Sequence, residues 1–146
     1  MAYLLDVNAL IALVDTDHVD HEPMNRWFRS HQGKGWATCP IAENGAVRVL
    51  SQPVYPSGQR TPAQVIQVLG ELKRAFARSY EFWSDEVSLS DETLFISAFI
   101  AGTRQVTDAY LLGLTARRGG TLVSFDRRLP WQAIRGGSPK LVQMPA

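Results

Sequence analysis

The stretch Arg104-Gln105-Val106-Thr107-Asp108-Ala109-Tyr110-Leu111-Leu112-Gly113-Leu114-Thr115-Ala116-Arg117-Arg118-Gly119-Gly120-Thr121-Leu122-Val123-Ser124-Phe125-Asp126-Arg127-Arg128 holds a helix, a stop and a strand in one run. Asp108 opens the helix, and Thr107 is placed to cap it. Gly119 and Gly120 end it, as residues free to take positive φ do. Leu122, Val123 and Phe125 read as a short buried strand, with Asp126 where that strand ends. One carboxylate therefore starts a helix and another finishes the strand that follows. In a parallel α/β layer both places lie on one rim, where such sheets bind ligands.

The same arrangement recurs upstream. Tyr3-Leu4-Leu5 is an apolar run suited to a buried parallel strand, and it ends at Asp6. Asn8 then caps an apolar helix from Ala9 to Val14. Pro23 opens a second helix running to about Ser30, with Met24, Trp27 and Phe28 on one face. Trp36-Ala37-Thr38-Cys39 is the second strand, and Pro40 starts a helix whose first turn holds Glu43. Ser51 to Arg60 is a loop rich in turn residues. Thr61-Pro62-Ala63-Gln64 has the form of a capping box, and Val65, Leu69, Leu72 and Phe76 form an apolar stripe behind it. Tyr80 to Trp83 alternates as a half-exposed strand does. Ser90 or Asp91 caps a short helix containing Leu94, Phe95 and Ala98. Leu129 to Ser138 is a loop, and Leu141 to Gln143 is a last edge strand. No repeat or linker divides the chain, so residues 1–146 are expected to form one domain.

Composition sets the outer bounds. Hydrophobic content of 45% and charged content of 20% are ordinary for a globular protein. The lone Cys39 excludes an internal disulfide and fits a reducing compartment. No run approaches the roughly 18 apolar residues of a membrane span, and Asp6 interrupts the short apolar run at the N-terminus, which lacks a basic start. A cytoplasmic location is expected. The formal charge of +1 hides an asymmetry: between Thr103 and Lys140, seven basic residues face only Asp108 and Asp126. A basic rim around an acidic pocket suits a polyanionic substrate.

Asp6, Glu43, Asp108 and Asp126 come from four separate segments, each at a strand-to-helix or loop-to-helix junction. With parallel strands, all four can face one crevice. Carboxylates so gathered repel by roughly 4 kcal/mol per pair at about 4 Å and an effective dielectric near 20. They must take up protons or share a cation. An all-oxygen set suits a hard divalent ion, Mg²⁺ or Mn²⁺, whereas the three His and one Cys have no zinc-ligand spacing. Such a site can activate water against a phosphodiester. Asn8, Thr107 and Ser124 are placed to hold the carboxylates, and Arg104, Arg127 and Arg128 to grip phosphates.

The pattern Leu5-Asp6-Val7-Asn8-Ala9-Leu10, Glu43 near the start of its helix, Val106-Thr107-Asp108-Ala109-Tyr110-Leu111 and Ser124-Phe125-Asp126 resembles PIN-domain ribonucleases, and within them VapC-type toxins of bacterial toxin–antitoxin pairs. All four acids of the family pattern are present. The resemblance implies a three-layer α/β/α domain with a central parallel five-stranded sheet in order 3-2-1-4-5 and helices on both faces. It implies Mg²⁺- or Mn²⁺-dependent endonucleolytic cleavage of RNA by a metal-activated water, leaving a 5′-phosphate and a 3′-hydroxyl. Asp6 and Asp108 would be the principal ligands, completed by Glu43 and Asp126. A homodimer and a cognate VapB-like antitoxin would be the protein partners. Two other readings predict different chemistry: a non-cleaving PIN-like module that binds RNA or protein, and a metal-dependent DNA nuclease or phosphatase on a similar sheet.

Other features have simpler readings. His18 and His21, among Asp17, Asp20 and Glu22, belong to a solvated loop. Trp27, Trp36, Trp83 and Trp131 are mostly core, whereas Tyr55 is the better candidate for an exposed contact to a base. Gly119-Gly120 lacks the further glycines of a dinucleotide site.

Overall fold

A computed structural model describes residues 2–146. Five short strands, β1 (Tyr3–Leu5), β2 (Trp36–Thr38), β3 (Tyr80–Phe82), β4 (Thr121–Val123) and β5 (Val142–Gln143), form one sheet in order β3-β2-β1-β4-β5. Every pairing is parallel, with Leu4 opposite Ala37 on one side and Leu122 on the other. This is the order that the resemblance to PIN-domain ribonucleases implies. The central strands β1 and β2 are buried throughout, as strands covered on both faces must be.

Side chains alternate across the sheet. Tyr3, Leu5 and Trp36 enter one core with Leu10, Met24, Phe28, Leu50 and Leu69. Leu4, Ala37 and Leu122 enter the other with Phe95, Leu111, Leu112, Leu114 and Ile134. The first core is covered by α1 (Val7–Val14), α2 (His21–His31), part of α3 (Pro40–Leu50) and α4 (Pro62–Ala75). The second is covered by α5 (Val106–Arg117) and the irregular segments around it. Helix α3 joins the two, with Ala42 in the second core and Ala46 and Leu50 in the first.

Local chemistry explains most boundaries. Thr61 and Gln64 form the expected capping box, each side chain accepting from the other's backbone N–H. Helix α5 stops where Gly119 takes φ +66°, which a side-chain-bearing residue resists. Gly113 inside α5 is required for a different reason. A Cβ there would lie 2.1 Å from Phe95 Cζ, so the bare backbone is what lets that ring pack on the helix.

Several elements differ from the reading of the sequence. Helix α1 begins at Val7 and is capped by Asp6, whose Oδ1 accepts from the Val7 N–H at 2.7 Å; Asn8 lies inside the first turn. Helix α5 begins at Val106 after Gln105, so Thr107 is helical and caps nothing. Helix α2 starts two residues before Pro23, at His21. Strand β4 ends at Val123, before Phe125. The expected helix around Leu94 is a series of turns with a single 3₁₀ turn at Ser97–Phe99, and Phe95 instead forms an antiparallel bridge with Ile134. With Gly113 opposite, Phe95 anchors by its ring rather than by helical spacing. Tyr55 is not a free contact: it packs against the first core and donates its hydroxyl to buried Asp15 at 2.7 Å. Arg60 pairs with the same carboxylate at 3.0 Å, tying the loop between α3 and α4 to the end of α1.

Candidate functional site

The end of β1 and the segment after β4 are locked together at the rim of the sheet. Backbone N–H of Asp6 donates to Val123 O, which extends the ladder past Leu5. The Asp6 side chain then turns inward, 4% exposed, with Oδ2 accepting from the Ser124 hydroxyl at 2.7 Å. Ser124 in turn accepts from Asn8 Nδ2 at 3.1 Å and from the Asp126 backbone N–H at 3.1 Å. Asn8 Oδ1 accepts from the Phe125 N–H at 3.0 Å. One buried hydroxyl and one amide thus fix Asp6 and the Asp126 backbone in a common frame. Of the residues read from the sequence as holding the carboxylates, Ser124 bonds Asp6 directly, Asn8 reaches only Ser124 and the Phe125 N–H, and Thr107 makes no side-chain hydrogen bond among the described residues.

Asp108 approaches from the first turn of α5, half-buried, with no hydrogen bond or ion pair to its carboxylate among the described residues. Burial first, and then the charges of Asp6 and Asp126, push its pKa up to about 6. Burial also raises that of Asp6, against the stabilising bonds from Ser124 and Val7 and with a further push from Asp126. Asp126 keeps one oxygen on the Arg128 backbone N–H at 2.8 Å. Asp6, Asp108 and Asp126 therefore form one electrostatic unit of like charge. Thr107 is exposed beside it.

Glu43 stands apart. Its Oε2 accepts from the Thr38 hydroxyl and pairs with Lys73 Nζ at 2.6 Å. Tyr80, on the neighbouring strand, shares the Thr38 hydroxyl at 2.6 Å. The sequence reading put all four acids in one crevice. The structure groups the three aspartates and commits Glu43 to a cation supplied by α4. Lys73 was not singled out from sequence. It sits beside the apolar stripe of α4, thirty residues from its partner, and no local spacing signals the pair.

Among the described residues, no group of three or more His, Cys, Asp or Glu is arranged to hold a metal ion. The donor chemistry of the aspartates still fits a hard divalent cation. Their donor atoms are all oxygen, no cation pairs with them among the described residues, and each Asp6 oxygen keeps a lone pair beyond the hydrogen bond it accepts. The two loop histidines offer nothing comparable. His18 Nδ1 accepts from the Asp20 N–H, and His21 Nδ1 is bonded to Ala12 O. Arg104, Arg127 and Arg128 are exposed and make no ion pairs among the described residues, whereas Trp27, Trp36 and Trp83 are core.

No protein-family profile matches the chain. Individual proteins do. Ribonuclease VapC44 of Mycobacterium tuberculosis is 44% identical over 139 residues, covering 94% of this chain and 95% of that protein. Ribonuclease VapC38 of the same organism is 45% identical over 84% of each chain, and Ribonuclease VapC39 is 40% identical over 93% of this chain and 96% of its own length. Among solved structures, the VapC20 toxin of M. tuberculosis, described as cleaving the sarcin–ricin loop, matches with a TM-score of 0.59 over 85% of this chain and 89% of that one. At 10% identity, that match concerns the fold.

Proposed function

This chain belongs to the VapC family of ribonucleases, and from there we propose that it hydrolyses RNA at the rim where Asp6, Asp108 and Asp126 meet. It is an endoribonuclease and the toxin half of a toxin–antitoxin pair, with RNA as substrate and a VapB-type antitoxin as partner. Residues 1–146 act as one PIN domain. The observation that supports this site most is the electrostatic coupling of Asp108 to Asp6 and Asp126, which have no paired cation among the described residues, beside the Ser124–Asn8 frame.

Asp6 and Asp108 would hold the cation, Mg²⁺ or Mn²⁺, with Asp126 completing the set. When bound, that ion lowers the pKa of water and offsets charge on the phosphate. The chain's own residues do the rest. Ser124 and Asn8 keep Asp6 from rotating, so the site is formed before substrate arrives. Asp108, at a helix N-terminus, is biased toward its ionised form by the helix dipole once the repulsion is relieved. Arg127 and Arg128 lie directly after Asp126 and Arg104 before α5, where they would grip flanking phosphates in an orientation suited to in-line attack. Homodimerisation is part of the same reading.

The test is cleavage of total RNA by the purified chain, with the ends mapped. Wild type should yield 5′-phosphate and 3′-hydroxyl ends in Mg²⁺ or Mn²⁺ and none in chelator. Asp108→Asn should bind RNA and leave it intact. Cleavage that persists in chelator, or 2′,3′-cyclic phosphate ends, would refute the mechanism. Equal biological effect of wild type and Asp108→Asn would favour a non-cleaving binding module instead.

A further inference from the structure

Between the entry to α5 and the segment after Asp126 lies a cavity of about 460 Å³, lined among others by Phe99, Gln105, Arg127, Arg128 and Trp131. Its two walls are stitched together by backbone. Phe95 and Ile134 form the antiparallel bridge, Ile96 N–H donates to Ala133 O at 2.7 Å, and Arg135 N–H donates to Leu94 O at 2.9 Å. Gln105 Oε1 accepts from the Ala101 N–H at 2.8 Å, which ties the Phe99 turn to the start of α5. The cavity adjoins the aspartates along the chain on both sides: Gln105 stands three residues before Asp108, and Arg127 follows Asp126.

The lining combines free cations with an open ring. Arg127 and Arg128 are exposed and make no ion pair among the described residues, and none of the residues lining the cavity is acidic. Phe99 is 55% exposed. The other exposed aromatic ring among the described residues, Phe82, already has the Lys73 ammonium 5.4 Å from its centroid. Trp131 is half-buried, packed against the second core while it also lines the cavity. A π-face beside unpaired guanidiniums suits a strand that offers bases and phosphates together. A duplex keeps its bases stacked inside, so only an unpaired nucleotide can reach such a ring.

We propose that this cavity is a base-stacking subsite, in which Phe99 stacks on one unpaired base of the RNA while Arg127 and Arg128 hold the phosphates beside it. This rests on the RNA site at the aspartate rim described above, and it adds that the substrate is single-stranded at that nucleotide. Tyr55, the base contact expected from the sequence, is committed to Asp15, and Phe99 takes that role on the other side of the molecule's chemistry, next to Asp126 and Asp108.

Fluorescence anisotropy of labelled oligo(A) in chelator tests this on the full chain, against an abasic oligoribonucleotide of the same length. Circular dichroism melts confirm that each variant is folded. Phe99→Ala should bind oligo(A) about 5- to 100-fold more weakly than wild type, the scale of one lost base–aromatic stack. Phe99→Leu, apolar but without a π-face, should lose nearly as much, and Phe99→Trp should bind at least as well as wild type. On the abasic strand, which keeps only the phosphates, these four proteins should bind alike, whereas Arg127→Ala with Arg128→Ala should weaken binding to both strands. Phe99→Ala that binds oligo(A) as wild type does would overturn the proposal. So would full affinity in Phe99→Leu, or an equal loss on the abasic strand. A change of oligomeric state in Phe99→Ala, read by sedimentation velocity, would assign the ring to a protein contact and overturn it too. If wild type has no affinity for either strand, the reading of the aspartate rim as an RNA site falls as well; absence of the Phe99 effect alone leaves that reading standing.

Discussion

Replacing Asp108 with asparagine should stabilise the metal-free protein while removing its response to metal. The carboxyl is half-buried beside two others, and its pKa rises from 3.8 to about 6 through burial and the charges of Asp6 and Asp126. In the unfolded chain it loses its proton near the ordinary value. Between roughly pH 4 and pH 6 the folded state binds more protons than the unfolded one, so stability falls as pH rises through that window and stays lowered above it. At full weight the shift corresponds to about 3 kcal/mol; allowing for solvent screening of a half-buried group leaves about 1–2 kcal/mol. Asparagine keeps the shape and loses the charge. It forfeits about 0.3–1 kcal/mol of favourable interaction with the α5 dipole, so the net gain near pH 7.5 is about 1 kcal/mol. For a chain of this length that raises the melting temperature by about 2–4 °C. Thermal melts in chelator at pH 7.5 and pH 4.5 test it: the variant should melt higher at the first pH and lose that advantage at the second. Adding MgCl₂ or MnCl₂ at pH 7.5 should raise the wild-type melt and leave the variant unmoved. An Asp108→Asn protein that melts at or below wild type at pH 7.5 in chelator would show that the three carboxylates do not strain one another.

Other substitutions probe the frame around the site. Ser124→Ala deprives Asp6 Oδ2 of the side-chain donor it has among the described residues and should weaken Mn²⁺ binding about 10-fold or more, read by calorimetry, with RNA cleavage falling in parallel. Gly113→Ala drives a methyl into Phe95 and should cost about 1–3 kcal/mol in urea denaturation; pairing it with Phe95→Leu should recover part of the loss. Arg127→Ala with Arg128→Ala should leave Mn²⁺ affinity unchanged, and should weaken RNA binding with a salt dependence shallower by roughly 0.7 per lost phosphate contact.

The strands were legible because β1 and β2 are short apolar runs, and because Pro40, the Thr61 capping box and Gly119 mark element ends through local chemistry, whereas their order came only from the family resemblance. The aspartates were legible for the same reason, since a strand end and a helix start are both written in neighbouring residues. What was missed depends on contacts between distant residues. Thr107 looked like a cap, but the chain had already entered α5 at Val106. Phe95 looked helical because its spacing from Leu94 and Ala98 allows it, whereas Gly113 and Ile134 hold it in an extended bridge. Tyr55 looked exposed in a proline-rich loop until Asp15, forty residues upstream, proved to be its partner. Glu43 was legible as an acid in the first turn of α3. Its alliance with Lys73 needed α4 folded against α3, which no window of sequence contains.

The two outer strands of the sheet span only three residues in β3 and two in β5. Edges that brief give an incoming chain little backbone to zip onto, so strand addition is a poor way to grip this protein. Recognition must then fall on side chains, on helix faces and on the rim. Main-chain pairing is blind to sequence, and side-chain pockets are not. M. tuberculosis holds several VapC ribonucleases, three of them named above, and a partner that tells such similar folds apart has to read surfaces of that second kind.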